Sequence, residues 1–212
     1  MTRTGLVFLT AGLMLTASPA LACKGKNVIF SDDFRQVDDT WGSSGDGDAV
    51  TIENGKVKIK ATASRNYKVL YGAAQFDDAD ICVTVQIPNN STPTTSAGAG
   101  MMFWAQDYAN FYAVVLRTDG RAAVVRQVKG NWTYPVQFRQ AEKINTHPGD
   151  KNIIRVTTIG NTVSVSINDA KFASFKGLVP PGGGEIGLYA ESEQGQRDTW
   201  KFADLKVTDL PQ

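Results

Sequence analysis

The stretch "VTIENGKVKIK", residues 50–60, alternates apolar and polar side chains around an Asn54-Gly55 pair. Asn-Gly is a favoured two-residue hairpin turn because both residues tolerate a positive φ. A turn there pairs Ile52 with Val57 on an apolar face and leaves the charged side chains on the opposite face. One apolar face and one hydrated face are what each layer of an antiparallel sandwich requires. The stretch therefore predicts an all-β protein.

Other segments repeat this pattern. In "IIRVTTIGNTVSVSI", residues 153–167, a turn at Gly160-Asn161 pairs Val156 with Val165. About a dozen such strands, separated by turns every 8–12 residues, indicate a two-sheet antiparallel β-sandwich of the jelly-roll type. We expect one such domain over residues 23–212.

The stretch "VVLRTDGRAAVV", residues 114–125, predicts a third hairpin. A two-residue turn at Asp119-Gly120 would place Arg117 and Arg126 together on one sheet surface. We therefore expect both arginines at a ligand site; the alternative is an ordinary hydrated sheet surface.

Residues 1–22 have the layout of a secretory signal peptide, with a basic residue at Arg3, an apolar run and a final Ala20-Leu21-Ala22. The run is too short to cross a bilayer, and no later apolar stretch is long enough either. We predict an exported protein, periplasmic or extracellular, without a transmembrane segment.

The chain has two cysteines, Cys23 directly after the predicted cleavage site and Cys82. An exported chain with two cysteines favours a disulfide, which here would close a loop of about 60 residues and contribute roughly 4 kcal/mol. The alternative is a lipoprotein, in which the thiol of Cys23 is acylated; its signal usually carries Leu at the position of Ala20.

The charges are balanced, with 22 basic and 21 acidic residues, and the signal peptide removes one of the basic ones. A neutral chain without a basic run argues against nucleic acid as a partner. The single histidine, His147, lies in a predicted turn and does not indicate a zinc site.

The aromatic stretch "MMFWAQDYANFY", residues 101–112, is expected to form two strands and their loop. Tyr112 falls in phase with the apolar face, and only one of Phe103 and Trp104 can join it. The other ring, Trp104 or Phe103, would lie on the sheet surface as a platform for a sugar. Trp132, in "KGNW", is expected to pack over an end of the sandwich.

In "YAESE", residues 189–193, strand alternation places Tyr189, Glu191 and Glu193 on one outer face. Glutamates two positions apart lie about 7 Å from each other, and a like-charge neighbour can raise one pKa. The alternative is a solvated strand end.

Several segments appear in a characteristic order and spacing: "SDDF" with Trp41, "IENGKVKI", "GAGMMFWAQDYANFYAVVLRTDG", "KGNW", "NIIRVTTIGNTVSVSIN", "GEIGLYAE" and "WKFADLKV". On these segments the chain resembles the concanavalin A-like lectin/glucanase superfamily, and most closely its secreted 3-keto-disaccharide hydrolase-like group, from about residue 29 to residue 210.

The resemblance implies a jelly roll with a saccharide ligand. The Glu-x-Asp-x-x-Glu motif of the superfamily's glucanases is absent from this sequence. Many members of the superfamily hold a structural Ca²⁺, which Asp33 and Asp204 would ligate here, although Ca²⁺ prefers six to eight oxygens. No other cofactor is implied.

We expect saccharide binding on the concave sheet. The expected contact residues are Trp104, Arg117, Arg126, Tyr189, Glu191 and Glu193. A first alternative is an enzyme acting on 3-keto-glycosides, with Glu191 as base and Arg117 or Arg126 as the stabilising cation. A second is a structural or protein-interaction module of the cell envelope.

Overall fold

The computed structural model describes residues 23–44, 47–62, 65–92, 97–193 and 195–212. The predicted signal peptide, residues 1–22, lies outside the described residues. Apart from a short 3-10 turn at Gly47–Ala49, the regular elements of the described residues are β-strands. They are β1 (Val28–Asp32), β2 (Trp41–Ser43), β3 (Val50–Glu53), β4 (Lys56–Thr62), β5 (Asn66–Phe76), β6 (Ala79–Gln86), β7 (Gly98–Asp107), β8 (Asn110–Arg117), β9 (Arg121–Val128), β10 (Asn131–Gln140), β11 (Lys151–Ile159), β12 (Thr162–Ile167), β13 (Ala170–Lys176), β14 (Gly184–Glu191) and β15 (Arg197–Thr208).

The strands form two antiparallel sheets. The eight-stranded sheet has the order β13-β12-β11-β6-β15-β4-β3, with β1 also paired to β15. The seven-stranded sheet has the order β10-β9-β8-β7-β14-β5-β2. The all-β, two-sheet jelly-roll prediction is confirmed. Among the described residues, no helix is long and apolar enough to cross a membrane.

The inner faces of the two sheets share one apolar core. Trp200 and Phe202 of β15 are fully buried in it, and so are Leu205 and Val207, which lie out of phase with the first pair. The pairing register of β15 with β6 shifts between residues 203 and 206, and Asp204 has a φ of 54°. This bulge inserts one residue, so that both halves of β15 turn their apolar side chains inward.

Two of the predicted hairpins are confirmed. At the β3–β4 turn Asn54 and Gly55 have φ values of 53° and 71°, and Ile52 pairs with Val57. In the β11–β12 hairpin Val156 pairs with Val165 and Ile154 with Ile167, as predicted. In both cases a two-residue turn sets the register.

The register predicted for the β8–β9 hairpin is wrong by one residue. The N–H of Gly120 donates to the carbonyl of Arg117, and Gly120 itself has a φ of 84°. This is a three-residue loop ending in a left-handed glycine, and it pairs Tyr112 with Arg126. Since a shift of one residue turns a strand's side chains to the other face, Arg126 does not share a face with Arg117.

The expectation that Phe103 or Trp104 lies on the sheet surface is also wrong. Both rings are buried in the core, with 0% and 2% of their surface exposed. The register of β7 shifts after Phe103, and Trp104 has a φ of 47°. Gly184, whose missing side chain would meet the backbone of Trp104, leaves room for this irregularity.

The predicted disulfide between Cys23 and Cys82 is present, with a Cα–Cα distance of 5.6 Å. It holds the segment before β1 against the outer face of the eight-stranded sheet. There the backbone N–H of Lys24 donates to the buried carboxylate of Asp80 at 2.7 Å. A sulfur of Cys23 that is bonded to Cys82 is not available for acylation, so the structure favours the disulfide over the lipoprotein alternative.

Candidate functional site

The outer face of the seven-stranded sheet is concave. Trp132 on β10 and Tyr189 on β14 belong to strands that have three other strands between them. Four strand spacings amount to about 19 Å in a flat sheet, yet the two ring centroids are 6.2 Å apart. The sheet therefore curls, and side chains from its two sides meet over small residues such as Ala113 and Ala123.

A recess of about 160 Å³ lies on this concave face. Aromatic side chains of β10 form one side of it, and residues of β14 and β5 form the other. Its lining consists of Asn66, Val115, Arg117, Val125, Trp132, Tyr134, Phe138, Tyr189 and Glu191.

Strand register explains why polar groups meet in the recess. Asn66, Glu191, Gly98 and Arg117 are directly opposite one another on four neighbouring strands. A Cβ added to Gly98 would lie 2.9 Å from Cγ1 of Val115 and 3.3 Å from Oε1 of Glu191. The glycine therefore keeps the space between the carboxylate and Arg117 open.

The Glu191 carboxylate is partly buried and is held by Tyr189, whose hydroxyl donates to Oε2 at 2.7 Å. Burial raises the pKa of Glu191, while the Tyr189 hydrogen bond and the charge of Arg117 partly offset that rise. Burial, together with the charge of Glu191, raises the pKa of Tyr189 well above its usual value. The phenol therefore stays protonated and remains a donor at neutral pH.

The backbone at the end of β14 is fixed from the opposite sheet. The indole N–H of Trp200 donates to the carbonyl of Glu191 at 3.1 Å. The hydroxyl of the next residue, Ser192, donates to Asp198 at 2.6 Å. These two contacts fix the strand end from which Glu191 projects.

Arg117 contributes a donor that lacks an acceptor. Its guanidinium carbon lies 3.4 Å from the centroid of the Phe138 ring, a cation–π contact. Its Nε is buried and has no hydrogen-bond partner within the described residues. An unpaired buried donor costs about 1–3 kcal/mol, and the residue that carries it lines the recess.

Of the residues predicted for ligand binding, the structure brings Arg117, Tyr189 and Glu191 together. Glu193 lies beyond the end of β14, where its carboxylate accepts a hydrogen bond from Gln196, and it does not line the recess.

The remaining two predicted contacts do not lie at the recess. Arg126 lies on the core side of its strand, 5.2 Å from the Tyr112 ring, and Trp104 is in the core. Both misplacements follow from the register changes of β9 and β7.

Sequence reasoning missed the residues of β10. Trp132, expected over a sandwich end, instead packs edge-on against Phe111 and Tyr189. The spacing of Trp132 and Tyr134, two positions apart, was a signal that both rings share one face. Phe138, four positions after Tyr134, lies on the same face as Tyr134 although the β9–β10 register shifts twice between residues 133 and 139.

Asp33 and Asp204, the acids expected at calcium, both line a broad cavity of about 1260 Å³ beside the outer face of the eight-stranded sheet. Over the described ranges, three potential metal ligands converge only at Cys23, Asp80 and Cys82, where both sulfurs belong to the disulfide. Calcium at Asp33 and Asp204 therefore stays a prediction.

The family model of the 3-keto-alpha-glucoside-1,2-lyase-like domain matches residues 26–208. The chain belongs to this family. The match spans both sheets and includes every residue that lines the recess. No curated protein sequence matches the chain significantly.

Solved structures share the fold of this lyase-like domain at low identity. A glycoside hydrolase family 16 endo-glucanase from Bacteroides ovatus has a TM-score of 0.66 at 11% identity, with 85% of this chain and 100% of that chain covered. A beta-glucanase from Bacillus licheniformis has a TM-score of 0.62 at 8% identity, with 85% of this chain and 98% of that chain covered. The carbohydrate binding module CBM66 from Bacillus subtilis has a TM-score of 0.59 at 14% identity, with 80% of this chain and 94% of that chain covered. The jelly roll of this family is thus one that carbohydrate-active proteins also use.

Proposed function

We propose that the chain binds a saccharide in the recess between Glu191, Arg117 and the rings of β10. The observation that carries this proposal is that Arg117, whose Nε is buried without a partner among the described residues, lines the recess together with the partly buried Glu191, in register across Gly98. Such an arrangement calls for a ligand that both accepts and donates hydrogen bonds.

Sugar hydroxyls have this dual character. A hydroxyl or ring oxygen accepts from the Arg117 guanidinium, and a neighbouring hydroxyl donates to Glu191. The rings of Trp132, Tyr134 and Phe138 supply flat apolar surfaces for the C–H face of a pyranose. A few convergent polar groups in an aromatic recess are typical of small-ligand sites.

The direct test is a thermal-shift screen of the chain, with calcium present, followed by calorimetry on the hits. The panel contains glucose, galactose, xylose and glucuronic acid, their di- to tetrasaccharides, and 3-keto-glucosides. A ligand at 100 times its Kd stabilises by about 2.7 kcal/mol, which raises the Tm by roughly 5–10 °C for a domain of this size. A panel without any shift would contradict the proposal.

Two arginine variants provide a matched comparison for the same titration. Both Arg117 and Arg126 lie over aromatic rings, but only Arg117 lines the recess. Arg117→Met should weaken binding by about 10- to 150-fold, the value of a hydrogen bond to a charged group. Arg126→Met should leave the Kd within about twofold. Equal losses in the two variants would place the ligand elsewhere.

A second candidate function is elimination on a 3-keto-glycoside, favoured by the family match and by the basic carboxylate of Glu191. The carboxylate would remove the proton on C2, whose electron pair forms the C1–C2 double bond while the bond from C1 to the glycosidic oxygen breaks. The leaving oxygen takes a proton from solvent. Arg117 would stabilise the charge that develops on the C3 carbonyl oxygen.

This candidate is tested by following the conjugated enone product in the ultraviolet with a 3-keto-glucoside as substrate. Glu191→Gln should lower kcat by about 10²- to 10⁴-fold, the usual contribution of a general base. Glu193→Gln, a neighbour outside the recess, should retain the wild-type rate. Binding without turnover in the wild type would leave saccharide binding as the function and exclude the elimination.

A further inference from the structure

We infer that the recess accepts only the terminal unit of a saccharide, because the chain's own side chains fill the remainder of the concave face. This inference rests on the proposed function. The filling side chains, here called the plug, are Lys68, Phe111, Gln127, Trp132 and Tyr189.

Phe111 occupies the centre of the plug. Its ring would be a platform for a second sugar unit if it were open, but only 2% of its surface is exposed. Trp132 packs edge-on against it with 5.7 Å between ring centroids, and Tyr189 lies at 6.4 Å. The ammonium of Lys68 covers it at 5.3 Å from the centroid.

A side-chain hydrogen bond connects the two sides of the concave face. Nζ of Lys68, on β5, donates to Oε1 of Gln127, on β9, at 3.1 Å, and these strands have three others between them. Gln127 is 7% exposed. Burial lowers the pKa of Lys68, consistent with an ammonium that has lost much of its water. The bond therefore forms a bridge across the concave face.

The recess and the plug occupy successive positions along the same strands. On β8, Arg117 and Val115 line the recess, whereas Phe111 is four residues further from it. Tyr189 on β14 and Trp132 on β10 belong to both, and Glu191 stands at the end of β14. Within the part of the chain that the structure describes, a sugar in the recess therefore meets the plug on one side and continues toward the strand ends on the other.

Passing an extended glycan along the face would require the Lys68–Gln127 bond to break and the Trp132 ring to leave Phe111. Breaking a partly buried hydrogen bond to a charged group costs free energy before any new contact forms. Units beyond the first therefore gain no protein contact in the wild type. The ligand class is a monosaccharide or the end of a chain, not a chain interior.

The test is calorimetric titration of each mono- to tetrasaccharide series of the panel into wild type, Lys68→Ala and Lys60→Ala. Lys68 does not line the recess, so Lys68→Ala removes the bridge and the ammonium over Phe111, and leaves Trp132 as the remaining cover, without touching the terminal-unit contacts. Lys60 is an exposed lysine on the other sheet and serves as the control. Gln127→Ala breaks the same bond from the opposite strand and replaces Lys68→Ala if that variant does not fold.

We expect the wild-type Kd to change by less than about twofold from the shortest ligand that binds to the tetrasaccharide. In Lys68→Ala the ligands of two or more units should gain about tenfold, the scale of one stacking contact, while Lys60→Ala keeps the wild-type profile. A wild-type affinity that rises tenfold with each added unit would overturn the inference and leave saccharide binding intact. An unchanged profile in folded Lys68→Ala would overturn the role of the bridge. Absence of binding to every sugar would overturn both proposals.

Discussion

Within the described residues, an acid–arginine site lies on the outer face of each sheet, and the two sites differ in how completely the hydrogen bonds of their side chains are satisfied. On the eight-stranded sheet, Asp80 accepts from Arg155 at 2.7 Å, from Thr157 at 3.0 Å and from the backbone of Lys24 at 2.7 Å. On the seven-stranded sheet, Glu191 accepts from one side chain of the described residues, the hydroxyl of Tyr189.

The arginines differ in the same way. Nε of Arg155 is bonded to Asp80, whereas Nε of Arg117 is buried without a partner among the described residues. A charged side chain whose hydrogen bonds are all made within the protein, here called saturated, leaves no free donor or acceptor for a ligand. Removing such a side chain leaves its partner's charge unpaired. An unsaturated one leaves donors and acceptors free. The first site is therefore structural, and the second is the candidate ligand site.

The largest effect is expected at the saturated site. Asp80→Ala leaves Arg155 without its buried partner, which should lower the free energy of unfolding by about 3–5 kcal/mol. Asp169→Ala removes an acid that pairs with Lys24 at the surface, 3.4 Å away with both side chains about half exposed, and should cost less than about 1 kcal/mol. Denaturant unfolding measures both. A loss below about 1 kcal/mol in Asp80→Ala would break the distinction between the two sites.

An intermediate effect is expected where Gly98 separates Glu191 from Arg117. Gly98→Ala forces a methyl group to within 2.9 Å of Val115, and such overpacking costs about 1–3 kcal/mol. The same methyl displaces the Glu191 carboxylate, so affinity for the saccharide should fall at least tenfold.

Gly72→Ala is the matched control for that variant. It lies on β5 of the same sheet, and the nearest atom to an added Cβ is a backbone oxygen 3.8 Å away. Its stability and affinity should stay near those of wild type. If Gly98→Ala binds as tightly as Gly72→Ala, the open space between the two charged groups has no role in binding.

The smallest effect is the pH dependence of stability that Glu191 causes. Burial raises the pKa of Glu191 in the folded state. Between the unfolded and the folded pKa, the folded protein therefore holds a proton that the unfolded chain has released. Its contribution to stability is complete below the unfolded value of about 4.3 and is lost as the pH rises through the folded pKa.

Glu191→Gln removes this loss. We expect its Tm to equal that of wild type near pH 4 and to exceed it by about 2–4 °C at pH 7, the range that corresponds to about 1 kcal/mol in a domain of this size. Thermal unfolding followed from pH 4 to pH 7 measures the difference. A Tm difference that does not change with pH would show that Glu191 gains as much from Tyr189 and Arg117 as burial costs it.

The residues that were placed correctly from sequence depend on local rules. Asn54-Gly55 admits one tight turn, so the pairing of Ile52 with Val57 follows. Tyr189 and Glu191 share a face because they lie two positions apart within one strand. Such statements require only the period of a strand and a known turn.

The errors occur where one extra residue enters the chain. The left-handed Gly120 lengthens the β8–β9 loop by one residue, which moved Arg126 to the core side, and the irregularity at Trp104 turned both rings of β7 inward. Alternation carries no information on such an insertion, because each half of the strand keeps its own period. Trp132 is a different case, since its place depends on the curvature of the whole sheet.

The strands, the two-residue turns, the cysteine pair and the shared face of Tyr189 and Glu191 follow from the amino-acid order, because each depends on contacts between neighbours along the chain or on residue type. Which arginine lies beside Glu191 and which aromatic rings line the recess follow only from the folded domain. Those outcomes depend on the phase of strands across bulges and on the curl of the seven-stranded sheet, which the packing of the whole domain sets.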